Sequence, residues 1–119
     1  MSVRVGRVYD LRADTDGVRV LVDRLWPRGM TKALADLDEW CRQVAPSTEL
    51  RRWYAHDPER FAEFRRRYRA ELGAGAQGDA LAHLRDLLAS KHTITLLTAA
   101  KDPTISEAAV LAGVIEGSP

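Results

Sequence analysis

Apolar and polar residues alternate along three short stretches of this chain, and between the second and third they recur at helical spacing. Residues 3–9 read as a strand with Val3 and Val5 on one face. The alternation slips at Gly6 before Val8, which points to a bulge or a close backbone approach. Asp14-Thr15-Asp16-Gly17 is a turn signal, because Asp closes local side-chain bonds and Gly tolerates positive φ. Residues 18–24 then place Val18, Val20 and Val22 on one face and Leu21 on the other. The simplest pairing of these two runs is an antiparallel hairpin. The third run, residues 93–100, is β-branched, nearly uncharged and apolar on both faces, as expected of a strand covered by helices on each side. The crossover of about seventy residues before it predicts parallel, right-handed pairing with the second run.

Caps and periodicity place the helices. Leu37, Trp40, Cys41 and Val44 form a stripe that predicts a helix ending at about Val44, stopped by Pro46. Ser47 caps a short helix through Trp53, and Asp57-Pro58 opens the next, because Asp accepts from free amides and Pro suits the first helical position. Phe61, Phe64, Tyr68 and Leu72 form its apolar stripe, with Glu63–Arg67 and Arg67–Glu71 spaced as ion pairs. Residues 73–78 are loop-like in composition. Asp79 caps a helix carrying Leu81, Leu84, Leu87 and Leu88, and Thr104-Ile105-Ser106-Glu107 has the spacing of a capping box opening a last helix to Val114 or Ile115. The fold class expected is α/β: one domain over residues 1–119, with a small mixed sheet of about three strands, the hairpin plus a late parallel strand, covered by about five helices.

Composition narrows function mainly by exclusion. With 119 residues, 45% of them hydrophobic, and one cysteine, the chain can bury a core but can form neither an internal disulfide nor a multi-cysteine zinc site. Its N-terminus lacks the apolar stretch of a signal peptide and no run is long enough to span a membrane, so a soluble, cytoplasmic protein with no membrane partner is expected. Nucleotide-binding glycine loops, Cys-x-x-Cys pairs and His-Glu-x-x-His helices are absent, no metal site is expected, and no cofactor is indicated. The net charge of +1 hides a surplus of arginine over acid between Arg42 and Leu72.

In open sheets with parallel strands, ligands bind outside the carboxyl ends of the strands. Those ends carry Asp23-Arg24-Leu25-Trp26-Pro27-Arg28-Gly29 and Lys101-Asp102-Pro103. Arg24 and Arg28 can grip a carboxylate or phosphate at two points, Lys101 adds a mobile charge, and amides opening the last helix would add donors. Trp26 lines the same turn, as a ligand contact or a buried plug. Asp23 or Asp102 could act as a base or hold an arginine in place. Ser47 could be a nucleophile or ligand contact as well as a cap, and His56 an acid, base or metal ligand, or a packing residue. Cys41, on an apolar stripe, reads as a buried and inert thiol. Arg65-Arg66-Arg67-Tyr68-Arg69 invites a nucleic-acid reading, but helical phase turns Tyr68 inward and leaves Arg66 and Arg67 among acids, favouring a solvated ion-paired face.

The same segments carry a family resemblance. Residues 20–29, Ala45-Pro46-Ser47, Leu50-Arg51-Arg52-Trp53-Tyr54, His56-Asp57-Pro58, Phe64-Arg65-Arg66-Arg67-Tyr68 and Ala99-Ala100-Lys101-Asp102 resemble the YeaO-like family of bacterial proteins, a domain of unknown function. The likeness runs from about Val5 to Leu111 and implies a small α/β domain in the bacterial cytoplasm, with no established substrate, cofactor or reaction. Where members of that family often carry Asn-His, this chain has Ile105-Ser106, so no role of that histidine carries over. The function expected is binding of a small anionic ligand at the strand ends, a phosphate-bearing one among the options, with hydrolase or transferase chemistry as a further option. The alternatives are a nucleic-acid or regulatory module using the arginine-rich helix, and a non-enzymatic oligomeric interaction protein. Sequence does not set the oligomeric state.

Overall fold

The computed structural model describes residues 1–117. Its organising element is β4 (Thr93–Thr98), whose apolar content on both faces suits a central strand. β1 (Ser2–Arg7) lies parallel on one side of it, from Ser2 opposite Thr93 to Arg7 opposite Thr98. β2 (Val18–Leu21) lies parallel on the other side and pairs outward with the two-residue β3 (Glu39–Trp40), giving the order β1-β4-β2-β3.

The parallel pairing of the second and late runs is therefore present, but the hairpin is not. β1 and β2 are separated by β4, and the sheet is wholly parallel with four strands. Two adjacent strands in sequence need not pair when a later, more apolar strand gains more by sitting between them. The crossing depends on Gly17. At its φ of +63°, a Cβ there would lie 2.2 Å from the Thr93 carbonyl oxygen, so only glycine brings the chain past the start of β4. Gly6 makes a close approach to Asp10 and Leu97 without a bulge, since the β1–β4 register is unbroken.

Strand alternation sorts the core into two layers. Val20, Val22, Ile94 and Leu96 face the main core, under α3 (Phe61–Glu71), α4 (Gly75–Lys91) and α5 (Glu107–Ile115). Val8, Leu21 and Leu97 face the opposite side, where α1 (Lys32–Ala35) and an irregular segment bring Ala35, Trp26, Met30, Leu37 and Trp40 over them. Longer helices thus cover one face only.

Three helix boundaries differ from the pattern. The stripe read as a helix to Val44 is α1, then β3, then a 3-10 turn Arg42–Val44; its apolar residues meet the core from strand and turn. α4 begins at Gly75, ahead of Asp79, and its first turn carries Gln77, which donates to the Ala45 carbonyl at 2.9 Å and to Glu71 at 3.0 Å. α5 is capped by Ser106 rather than Thr104, which sits in a 3-10 turn (Pro103–Ile105) capped by Asp102. α2 (Thr48–Tyr54) starts after Ser47 as expected, and Asp57 caps a turn (Pro58–Arg60) that runs into α3. Among the described residues no helix is long and apolar enough to cross a membrane.

Candidate functional site

The parallel arrangement puts the carboxyl ends of β2 and β4 side by side, and a cleft of about 290 Å³ opens there. Val22 continues the ladder by donating to the Leu97 carbonyl, so Asp23 emerges just beyond the last rung. Its segment is pinned by two tryptophans in edge-to-face contact, ring centres 5.3 Å apart. Trp40 donates its indole N–H to the Asp23 carbonyl and Trp26 donates to the Met30 carbonyl, each at 2.7 Å.

Asp23 reaches across to β4. Its Oδ1 accepts from the Thr98 hydroxyl and its Oδ2 from the Ala99 amide, both at 2.8 Å. Ser106, buried at the cap of α5, places Glu107 as the first residue of that helix, where Glu107 Oε1 lies 3.4 Å from the same Thr98 hydroxyl. Loss of water, followed by the hydrogen bond and charge of Asp23, raises the Glu107 carboxyl well above its ordinary 4.5. Two carboxyl groups meeting over one hydroxyl cannot both ionise cheaply, which is the direction of the Glu107 shift.

Arginines surround this pair. Arg24 donates from Nε and one terminal nitrogen to the Pro46 carbonyl, and from that nitrogen to Ala45, at 3.1–3.4 Å. Among the described residues the side chains of Arg28 and Arg51, which also line the cleft, make no hydrogen bond or ion pair. Elsewhere Arg12 pairs with Asp36 and Asp38, Arg19 with Asp16, Arg60 with Asp57, and Arg66 and Arg67 with Glu63, whereas Arg4, Arg7 and Arg85 bond backbone carbonyls. His56 joins the rim from the far side. Ala55 and His56 are consecutive left-handed residues, φ +48° and +56°, neither a glycine. That conformation costs roughly 1–2 kcal/mol per residue, and it turns the chain between α2 and the Asp57 cap so that His56 is exposed at the cleft, its ring 5.9 Å from that of Tyr54.

The structure brings Asp23, Arg24, Trp26, Arg28 and His56 together around one cleft. Ser47, Lys101 and Asp102 lie off its wall. The Ser47 hydroxyl donates to Glu71 at 2.6 Å and accepts from the Leu50 amide, while its own amide donates to Glu71. Glu71 therefore faces Ser47 rather than forming the expected pair with Arg67. Asp102 accepts from the amide and hydroxyl of Thr104, and Lys101 is exposed beside it. Sequence reasoning missed Glu107, Thr98 and Arg51. Glu107 was visible only as a capping partner, whereas Arg51, three residues before Tyr54 on the same helical face, carried a usable signal. On α3, Arg66 and Arg67 bond Glu63, and Tyr68 is fully buried with its hydroxyl donating to the Val44 carbonyl, so no aromatic surface accompanies those arginines.

Over residues 2–118 the chain matches the family model described as the inactive DUF488-N3 subclade. It is 50% identical over 115 residues to the uncharacterized protein Rv3073c of Mycobacterium tuberculosis H37Rv, covering 97% of this chain and 94% of that protein. It is 45% identical over 113 residues to the uncharacterized protein YeaO of Escherichia coli K12, covering 94% and 95%. No solved structure matches.

Proposed function

The chain belongs to the family described as the inactive DUF488-N3 subclade, with YeaO among its relatives, and on that premise we propose a cytoplasmic binding domain that takes a small anionic ligand at the strand ends. The observation carrying this reading is the imbalance of partners in the cleft. Arg28 and Arg51 have no carboxylate among the described residues and Arg24 bonds only carbonyls, so three guanidiniums line one cleft without an ion pair. Guanidinium forks without counterions match a phosphate or carboxylate brought from outside. The description of the subclade as inactive favours binding over turnover.

Calorimetric titration with inorganic phosphate tests it. Binding should weaken with salt, and Arg28→Ala or Arg51→Ala should weaken it roughly tenfold, about 1.4 kcal/mol each, without lowering the melting temperature. A wild-type chain that gives neither heat nor thermal shift with phosphate refutes the reading.

The carboxyl pair favours a second reading, hydrolytic or transfer chemistry, in which Glu107 gives its proton to a leaving group while Asp23 or His56 assists a nucleophile. Turnover of p-nitrophenyl phosphate that is abolished by Glu107→Gln would support it, and absence of turnover in the wild type would remove it for that class of ester.

A further inference from the structure

The cleft has an inside and an outside of opposite character. Arg28, His56 and Leu25 are exposed at its mouth, whereas Thr98, Phe64 and Tyr54 are 1%, 2% and 3% exposed at its inner end. The inner walls are apolar or already engaged. Trp26 has given its N–H to Met30, Tyr54 gives its hydroxyl to the Ile105 carbonyl at 2.6 Å, and the Thr98 hydroxyl donates to Asp23. The polar side chains left to meet a ligand inside are the two carboxyls of Asp23 and Glu107, with Arg24 beside them. Asp23 accepts one bond on each oxygen from Thr98 and Ala99 and stands beside Glu107, and a carboxylate's four lone-pair sites leave room for a further donor.

An anionic group driven inward would meet two carboxyls, with Arg24 beside them already held by the Ala45 and Pro46 carbonyls. A neutral hydroxyl fits, donating to a carboxyl while keeping its own lone pairs for a donor, and two neighbouring hydroxyls engage both Asp23 and Glu107. An ammonium group has donors only and would meet Arg24 of the same lining as a like charge, whereas a hydroxyl can donate to a carboxyl and accept from a guanidinium. The volume of about 290 Å³ stands at the small end of sites for small organic ligands, the scale of a sugar phosphate.

We propose that the ligand is a phosphorylated polyol, held with its phosphate outward at Arg28 and Arg51 and its hydroxyls inward at Asp23 and Glu107. This rests on the anion-binding reading and adds the chemistry of the other end of the ligand. Titration with ribose 5-phosphate, inorganic phosphate and phosphoethanolamine tests it. Ribose 5-phosphate should bind at least tenfold tighter than either of the others. Arg28→Ala should weaken ribose 5-phosphate and phosphate alike and preserve their ratio, whereas Glu107→Gln, and independently Asp23→Asn, should bring that ratio close to one. Circular dichroism of each variant establishes that it is folded, and either carboxyl variant suffices. Equal binding of ribose 5-phosphate and phosphate by the wild type overturns the polyol and leaves the anion site standing. Tighter binding of phosphoethanolamine also overturns it. No binding of any of the three removes both.

Discussion

Arg19 is the largest fully buried side chain, 1% exposed, and its guanidinium is bonded throughout by the protein. It donates to Asp16 at 2.9 Å and to the carbonyls of Asp10, Ala35 and Asp36, tying the loop before β2 to α1. Removing it leaves a carboxylate and three carbonyls without their donor, so Arg19→Met should destabilise by about 3–5 kcal/mol in urea unfolding, although no ligand contact is lost. Ala55 has the opposite expectation. Its left-handed φ of +48° at the end of α2, where its amide donates to the Arg51 carbonyl, is a position that glycine adopts without steric cost. Ala55→Gly should raise stability by about 1 kcal/mol in the same assay. Cys41 is inert for a separate reason: burial pushes its thiol up to about 11.

Among the elements, those defined by local chemistry were legible and those defined by distant partners were not. Ser47 before α2 and Asp57-Pro58 before α3 announce themselves through side-chain oxygens that bond amides two or three residues on. β4 was readable because a strand apolar on both faces has few places to sit. β3 was not, since its two residues exist as strand only through pairing with Val20 and Leu21, while Leu37, Trp40, Cys41 and Val44 fit a helical period by coincidence of spacing. Within the site, Asp23, Arg24 and Arg28 were legible from their place after a strand. Glu107 was hidden because a glutamate in the first turn of a helix has an ordinary explanation, and only the adjacency of β2 to β4 sets it against Asp23. The element scale also separates the two readings of Ser47. As cap of α2 and donor to Glu71, it should cost about 1–2 kcal/mol when replaced in Ser47→Ala, by thermal or urea unfolding, with phosphate affinity unchanged. A loss of affinity at unchanged stability would make it a ligand contact instead.

For the molecule as a whole, acids with opposing shifts shape stability against pH. Asp16 and Asp38 stand below their ordinary value even though burial works against them, held down by the amides of Ala13 and Arg19 and by the Arg19 and Arg12 guanidiniums. Glu63, beside Arg66 and then Arg67, is lowered to about 2. The stability these groups supply is present above the ordinary carboxylate range and is lost as pH falls through their folded values. Glu107 runs the other way: its contribution is complete below its ordinary 4.5 and is lost as pH rises toward its raised folded value. Urea unfolding across pH 4–9 should therefore peak on the mildly acidic side, and Glu107→Gln should flatten the alkaline decline while leaving the acid limb in place. The strand order carries a further consequence, one of timing. A ribosome delivers β1 and β2 early, yet each pairs with β4, whose first residue is Thr93. Until β4 has left the exit tunnel, both early strands wait with edges that only it can pair, so the sheet, its cleft and the carboxyl pair assemble together once β4 and α5 have emerged.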